Sequence, residues 1–267
     1  MDKHFKASPD VHVLPAHLPL PGAGVLMVNS FILMAKEPVL VDTGLGTDRE
    51  QFIAAVRAII DPKELSWIWL THDDGDHTGS LAQLMELAPK ARLVTNALAA
   101  LRMSTSWPVP LDRVYAVNPG DKIDAGDRTL TAIRPPLFDN PMTTGLFDSK
   151  SGTLFTADAF GALLPSAAED AADVADEDLE RGMVAWGTVD SPWALMVEPP
   201  RFDEVLERVR KLAPSMICST HLPPAKGSTD RLLQILAAVP KADPFVCPDQ
   251  PAFQQILAAM SAAPAGS

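Results

Sequence analysis

The segment Thr71-His72-Asp73-Asp74-Gly75-Asp76-His77-Thr78-Gly79-Ser80 places two histidines and three aspartates within six residues of this 267-residue chain. It follows the apolar run 65–70, which predicts a buried strand, and it precedes a stretch with helical spacing of apolar residues. A loop that leaves a buried strand presents its side chains from rigid support. Imidazole and carboxylate groups together suit zinc, iron or manganese. A helix cap needs only one side-chain oxygen, so capping alone does not account for two histidines and three aspartates. The segment predicts a metal site, with an acidic capping turn as the simpler alternative.

Strands and helices alternate along the rest of the chain. Hydrophobic periodicity and turn residues predict strands at 30–34, 38–42, 65–70, 93–95, 113–117, 128–133, 153–156 and 215–219. The same signals predict helices at 49–60, from 78 onward, and at 97–103, 169–181 and 202–212. The Pro-containing start looks irregular, and the Ala/Pro/Gly/Ser-rich residues 258–267 predict a fraying tail. Without a repeat or a long linker, the sequence predicts one α/β domain over residues 1–267.

Composition excludes several classes of function. The formal charge of −12 disfavours binding to nucleic acid or to an anionic membrane, because phosphates would be repelled. The hydrophobic content of 47% is enough for a packed core. Two cysteines, Cys218 and Cys247, cannot form a disulfide framework and fit a reducing compartment. No targeting segment or membrane-length apolar run is visible, so we expect a cytoplasmic protein with no membrane partner.

Four motifs together resemble a known superfamily. The pattern His72-x-Asp74-x-Asp76-His77 is similar to the His-x-His-x-Asp-His signature of the metallo-β-lactamase superfamily, with aspartate at the second histidine's place. Residues 39–44 resemble its early Asp-Thr/Ser-Gly turn, residues 154–158 the strand that ends in a bridging aspartate, and residues 219–221 the strand that ends in the final histidine. The resemblance implies a metallo-β-lactamase-like four-layer αβ/βα sandwich, with the site at one edge of its two sheets.

A subgroup fits more closely. Flavodiiron proteins and their stand-alone oxygen-binding relatives carry His-x-Glu-x-Asp-His-x-Gly-Ser, and this chain departs from that motif only by Asp74 at the glutamate place. Residues 155–161 and the acidic helix at 169–181 also resemble that group. The resemblance implies two metal ions, iron favoured and zinc possible, which bind or reduce dioxygen or nitric oxide. It further implies a homodimer, while the chain length predicts no flavodoxin domain, no FMN and a separate electron donor.

The ligand set implied by the resemblance is incomplete. One metal would take His72, Asp74, a mid-chain histidine and a bridging Asp158, and the other would take Asp76, His77, Asp158 and His221. No histidine lies between His77 and His221, and the corresponding stretch 134–142 places Phe138 or Asp139 at the missing position. Either Asp139 replaces the missing histidine as a ligand, or the first metal is weakly bound or missing. The sequence leaves both alternatives open.

Two other functions remain compatible with the sequence. A metal-dependent hydrolase would use a metal-bound water against an ester, thioester, lactone or phosphoester, with Asp76 orienting the nucleophile. A degenerate member would act as a sensor or scaffold with one metal or none. Beyond the ligands, Asp42 is expected to support the site or a turn, Asp73 to face solvent or orient the loop, and Cys218 to be a buried structural thiol. Core packing is the expected role of Trp186 and Trp193.

Overall fold

The computed structural model describes residues 1–22 and 24–262, with backbone alone at 261 and 262. Its strands are β1 (Phe5–Ser8), β2 (Val11–Leu20), β3 (Gly24–Leu33), β4 (Val39–Val41), β5 (Trp67–Trp69), β6 (Arg92–Thr95), β7 (Val114–Ala116), β8 (Lys122–Asp124), β9 (Thr129–Ile133), β10 (Gly145–Asp148), β11 (Thr153–Phe155), β12 (Leu163–Leu164), β13 (Met216–Cys218) and β14 (Ala225–Lys226). Its helices are α1 (Arg49–Ile59), α2 (Leu81–Leu87), α3 (Ala97–Met103), α4 (Asp176–Asp190), α5 (Pro199–Leu212), α6 (Thr229–Leu236) and α7 (Gln250–Ala262).

The described strands form two sheets. The first has the order β1-β2-β3-β4-β5-β6-β7, with β12 beside β3, and runs parallel from β4 to β7. The second has the order β14-β13-β11-β10-β9-β8, and β11 runs parallel to β13. Because parallel strands present their carboxyl ends at one edge, the loops that follow β11 and β13 emerge side by side.

Hydrophobic clusters separate the layers. The middle cluster fills the space between the sheets, where the rings of Phe31 and Phe155 meet edge to face with centroids 5.4 Å apart. A second cluster packs α1, α2 and α3 on the outer face of the first sheet. A third packs α4, α5 and α6 on the outer face of the second sheet. This arrangement of helix, sheet, sheet and helix confirms the predicted α/β, four-layer αβ/βα sandwich.

The start of the chain differs from the prediction. The sequence indicated an irregular segment, but β2 is a ten-residue strand paired along its length with β3. Pro15 and Pro19 interrupt the usual strand pattern, so the sequence did not predict this strand. They are tolerated because β1 pairs with only the first part of β2, so the side of β2 that carries both prolines lacks a neighbouring strand there.

The acidic helix also begins later than predicted. Instead of spanning 169–181, α4 starts at Asp176. The Asp170 side chain accepts a hydrogen bond from the backbone N–H of Ala172 and closes a short 3₁₀ turn, Ala171–Asp173. The N–H of Ala171 donates to the carbonyl of Pro224, which ties this turn to the chain after β13. Local side-chain capping therefore interrupts the helical pattern.

Most other predicted elements agree with the structure within three residues, but β3 begins six residues before the strand predicted at 30–34. Helix α3 has the predicted bounds, and α1 ends one residue early. No prediction covered β8, β10, β12, β14, α6 or α7. Helix α7 reaches Ala262, while residues 263–267 of the predicted fraying tail lie outside the described residues. Across the described part of the chain, none of the helices has both the length and the apolar character needed to cross a bilayer.

Backbone contacts join the turn after β4 to the segment 71–80, which is predicted to bind metal. The N–H of Thr43 donates to the carbonyl of His77 at 2.7 Å, and the N–H of Gly79 donates to the carbonyl of Gly44 at 2.9 Å. A Cβ built on Gly79 would lie 2.2 Å from the backbone nitrogen of Gly46. Only glycine permits this close approach of the two loops.

We predict that Gly79→Ala destabilises the protein by about 3 kcal/mol or more, because the clash is with backbone that cannot move aside. Gly75→Ala is the matched control in the same loop, since a Cβ there meets nothing within 4 Å. Chemical denaturation of both variants measures the difference. Equal stabilities for the two would contradict the close packing of these loops.

Candidate metal centre

Three loops deliver the predicted ligands to one place. His72 and His77 lie in the loop between β5 and α2, Asp158 lies after β11, and His221 lies after β13. The loop of His221 is tied to the first sheet, since the N–H of Asn29 in β3 donates to the carbonyl of Thr220 at 2.8 Å. Both sheets therefore contribute to the same edge.

The carboxylate of Asp158 is the centre of the site. Its Oδ1 lies 3.0 Å from Nε2 of His77 and 3.2 Å from Nε2 of His221, and its Oδ2 lies 3.3 Å from Nε2 of His72. The three imidazoles are fully buried, and Asp158 is 6% exposed. One carboxylate thus faces three ring nitrogens in a space with little water.

The opposite edge of two of the three imidazoles is held by the protein. Nδ1 of His221 lies 2.6 Å from the carbonyl oxygen of Met27, which can only accept, so this nitrogen carries a proton. Nδ1 of His77 donates in the same way to Oδ2 of Asp42 at 2.9 Å. These bonds fix the tautomer, so that in the neutral ring the Nε2 lone pair points at Asp158.

This geometry fits a bound cation. Nε2 of His72 and of His77 and Oδ1 of Asp158 are buried and make no hydrogen bond, although they lie close together. Lone pairs of neutral imidazole and of carboxylate repel each other unless positive charge lies between them. A metal ion supplies that charge, and so do protons on the rings of the metal-free protein. The donor set of imidazole nitrogen and carboxylate oxygen suits iron, zinc or manganese.

The remaining predicted residues surround this centre. Oδ2 of Asp76 lies 3.5 Å from Nε2 of His221, and Oδ2 of Asp74 lies 4.0 Å from Nε2 of His72. Among the described residues, ligand atoms converge within 4.8 Å in three groups: His72 with His77 and Asp158, Asp76 with His77 and His221, and His72 with Asp74 and Asp139. The structure brings all six predicted residues together, and their binding of metal stays a prediction.

Opposite charges displace the pKa values in the metal-free site. Burial alone would raise the pKa of Asp158, but the neighbouring imidazoles, His72 first, hold it well below its ordinary value. Burial alone would lower the pKa of His77, but the carboxylates of Asp158 and Asp42 raise it well above its ordinary value. The site therefore attracts positive charge strongly.

Residues around the ligands take more definite roles than the sequence indicated. Asp42 supports His77 as expected, and it adopts a left-handed backbone with φ of 58°. The Asp73 side chain is buried and accepts two hydrogen bonds from Arg102, so it orients the loop rather than facing solvent. Nη2 of Arg102 also lies 3.7 Å from Oδ1 of Asp74. Burial raises the pKa of the Cys218 thiol, in line with a structural role.

Two residues at the end of α4 contribute to the site beyond the predictions, since Trp186 was expected to pack in the core and Asp190 was not singled out. The indole Nε1 of Trp186 donates to the backbone carbonyl of Asp158 at 3.1 Å, and its ring lies edge-on to His221 with centroids 4.6 Å apart. Asp190 lies one helical turn further on, and burial together with the charge of Asp158 raises its pKa to about 7. Their i, i+4 spacing in a helix was the only available signal, because nothing in the sequence placed that helix against the site.

Comparisons with known proteins give a consistent result. Residues 26–221 match the model of the family described as ODP family beta lactamase. An uncharacterized protein of Methanocaldococcus jannaschii is 26% identical over 72% of this chain and 48% of its own length. The flavo-diiron protein FprA2 of Clostridium acetobutylicum is 29% identical over 50% of this chain and 34% of its own length. The nitric oxide reductase of Moorella thermoacetica is 28% identical over 50% of this chain and 33% of its own length. The chain spans half or less of the length of these relatives.

Solved structures share the fold. The rubredoxin oxygen:oxidoreductase of Desulfovibrio gigas superposes with a TM-score of 0.77 at 20% identity, over 89% of this chain and 61% of that one. The flavodiiron protein of Giardia intestinalis superposes with a TM-score of 0.78 at 17% identity, over 90% of this chain and 60% of that one. The resemblance drawn from the four sequence motifs is confirmed.

We predict that Asp42→Asn weakens metal binding by about 10–100-fold. The amide is uncharged, and it cannot accept from both Nδ1 of His77 and the N–H of Thr71, as the two carboxylate oxygens of Asp42 do. Asparagine tolerates the left-handed backbone, so the fold is retained. Competition with a chromophoric chelator measures the affinity, and Asp203→Asn, on the exposed face of α5, is the control. Unchanged affinity in Asp42→Asn would argue against the supporting role.

We predict a pH-dependent effect of Asp190→Asn in the metal-free protein. The folded state raises the pKa of Asp190 from 3.8 to about 7, so unfolding releases a proton between these values. Wild-type stability therefore falls as the pH rises from about 4 to about 7, and the variant lacks this part of the fall. Thermal unfolding at pH 5 and pH 8 tests it: the gain in Tm over wild type should be larger at pH 8. A gain that is independent of pH contradicts the assignment.

Proposed function

Because the chain belongs to the ODP family of beta lactamases over residues 26–221, we propose that it holds two iron ions and with them binds and reduces dioxygen or nitric oxide. The observation that carries the proposal is the set of buried donor atoms around Asp158, which face one another without hydrogen bonds. Carboxylate-rich sets of this kind suit iron in higher oxidation states. The names of the relatives from Clostridium acetobutylicum and Moorella thermoacetica support the same chemistry.

The residues divide between two positions. The ion at the first position would be held by His72, Asp74 and Asp158, and the ion at the second position by Asp76, His77, Asp158 and His221. Asp158 would bridge the two, since its oxygens face His72 on one side and His77 with His221 on the other. When bound, the irons would supply the electron transfer that reduction of either gas requires.

Burial favours a small ligand. The three imidazoles are at most 1% exposed, whereas the side chain of Asp74 is 49% exposed, so a ligand would reach the buried donor atoms from the side of Asp74, and a small ligand would do so most easily. Trp186 narrows the approach further by covering His221 and holding the backbone of Asp158. The supporting bonds of Asp42 and of the Met27 carbonyl keep the rings of His77 and His221 oriented.

The source of electrons and the assembly are part of the proposal. A separate redox protein would supply electrons, and no FMN is proposed for this chain. A homodimer is proposed on the family resemblance. The net charge of −12 would favour a donor with a basic docking face and disfavour nucleic acid.

Metal content and gas consumption test the function together. Protein reconstituted anaerobically with ferrous iron should hold about two irons per chain and, once reduced with dithionite, should consume dioxygen or nitric oxide. On oxidation it should show a ferric absorption band that reductant bleaches. His77→Ala should lose iron from the second position and most of the activity, whereas Asp203→Asn should retain both.

Other outcomes would favour the alternatives. Zinc-loaded protein that turns over a generic ester, with that activity lost in Asp76→Ala, would identify a hydrolase. Protein that binds no metal under any loading condition would identify a scaffold. Two bound irons with no consumption of either gas would refute the proposed reaction.

A further inference from the structure

The first metal position lacks the histidine that the family resemblance implies, and the structure brings a different donor there. The loop between β9 and β10 is anchored next to His72. The N–H of Thr144 donates to the carbonyl of Thr71 at 2.7 Å, and the indole of Trp69 donates to the carbonyl of Thr144 at 3.0 Å. These bonds connect the second sheet to the segment 71–80 and carry Asp139 to the first position.

Asp139 is oriented within this loop. The hydroxyl of Thr143 donates to its Oδ1 at 2.8 Å, and the amide of Asn140 donates to its Oδ2. Arg134 holds the loop by donating to the carbonyls of Thr143 and Pro141. A carboxylate oxygen of Asp139, one of Asp74 and a ring nitrogen of His72 lie within 4.8 Å of one another. The carboxylates of Asp74 and Asp139 are exposed, and the group also has a buried donor.

His72 provides this buried donor. Its Nε2 is fully buried and has no hydrogen bond, and it lies 3.3 Å from Oδ2 of Asp158 and 4.0 Å from Oδ2 of Asp74. Phe138, the other residue at the missing position, has no donor atom, and its ring packs on Trp193 with centroids 4.8 Å apart. Asp139 is therefore the group in this loop that can complete the set.

We propose that Asp139 is the fourth protein ligand of the first metal position, which makes the two positions chemically unequal. The first then has one imidazole and three carboxylates, from Asp74, Asp139 and Asp158. The second has two imidazoles and two carboxylates, from Asp76 and Asp158. This inference rests on the proposed two-metal function and specifies how its incomplete half is filled.

Two consequences follow from the charges. The four carboxylates carry four negative charges, which balance two divalent ions, whereas a histidine at position 139 would leave one positive charge in excess. The additional anionic oxygen stabilises the more oxidised, more highly charged metal. It also makes the first position suited to a hard ion such as Mn²⁺.

Titration of metal-free protein with Mn²⁺ tests the assignment without any reaction. Elemental analysis after desalting counts the ions, and electron paramagnetic resonance distinguishes a coupled pair from a single ion. Wild type should bind two ions and show a coupled spectrum. Asp139→Ala should lose the ion at the first position, because the affinity there should fall at least about 100-fold. Loss of a residue that only supports a ligand lowers metal affinity by about 10–100-fold, so the larger loss identifies a ligand. Asp139→His should regain two ions.

Controls separate the possible results. Asp203→Asn should match wild type, and thermal unfolding should show that Asp139→Ala remains folded. Two ions bound with wild-type affinity in Asp139→Ala would overturn the proposal, as would a single ion in wild type that Asp139→Ala leaves in place. Two Mn²⁺ ions that depend on Asp139, in a protein whose iron form consumes neither gas, would uphold this assignment while refuting the proposed function.

Discussion

The structure depends on one carboxylate surrounded by three imidazoles. Asp158 lies within 3.3 Å of Nε2 of His72, His77 and His221, and the other edge of two of these rings is bound by Asp42 or by the carbonyl of Met27. A buried arrangement of this kind is stable only with added positive charge. The two sheets, the loops at their shared edge and the covering indole of Trp186 all serve to hold it.

The sequence predicted most of the candidate centre because the predicted ligands lie at strand ends. A buried strand followed by polar residues is a local pattern, and the order of four such patterns along the chain identified the fold and the six residues, Asp158 among them, that the structure brings together. Helices α1 and α3 were also predictable, since their apolar spacing and caps are local.

What the sequence could not show depends on contacts between distant segments. Strand β2 was not predicted because it contains Pro15 and Pro19. Both prolines are tolerated because β2 pairs with β3 along its length and with β1 only at its start. The late start of α4 depends on a capping bond of Asp170. Trp186 and Asp190 belong to the site only because α4 packs against it, and the sequence carries no signal for that packing.

The contact of Gly79 with the turn after β4 has a consequence for how such a centre can change over time. The frame of the site is built from main-chain hydrogen bonds and close backbone approach, as at Gly79 with Gly44 and at Thr144 with Thr71. These main-chain hydrogen bonds do not depend on which side chains lie beside them. Donor atoms can therefore be exchanged, as aspartate for glutamate at Asp74, while the frame stays constant. The same scaffold could accept new metal chemistries by single substitutions, in evolution or in the laboratory.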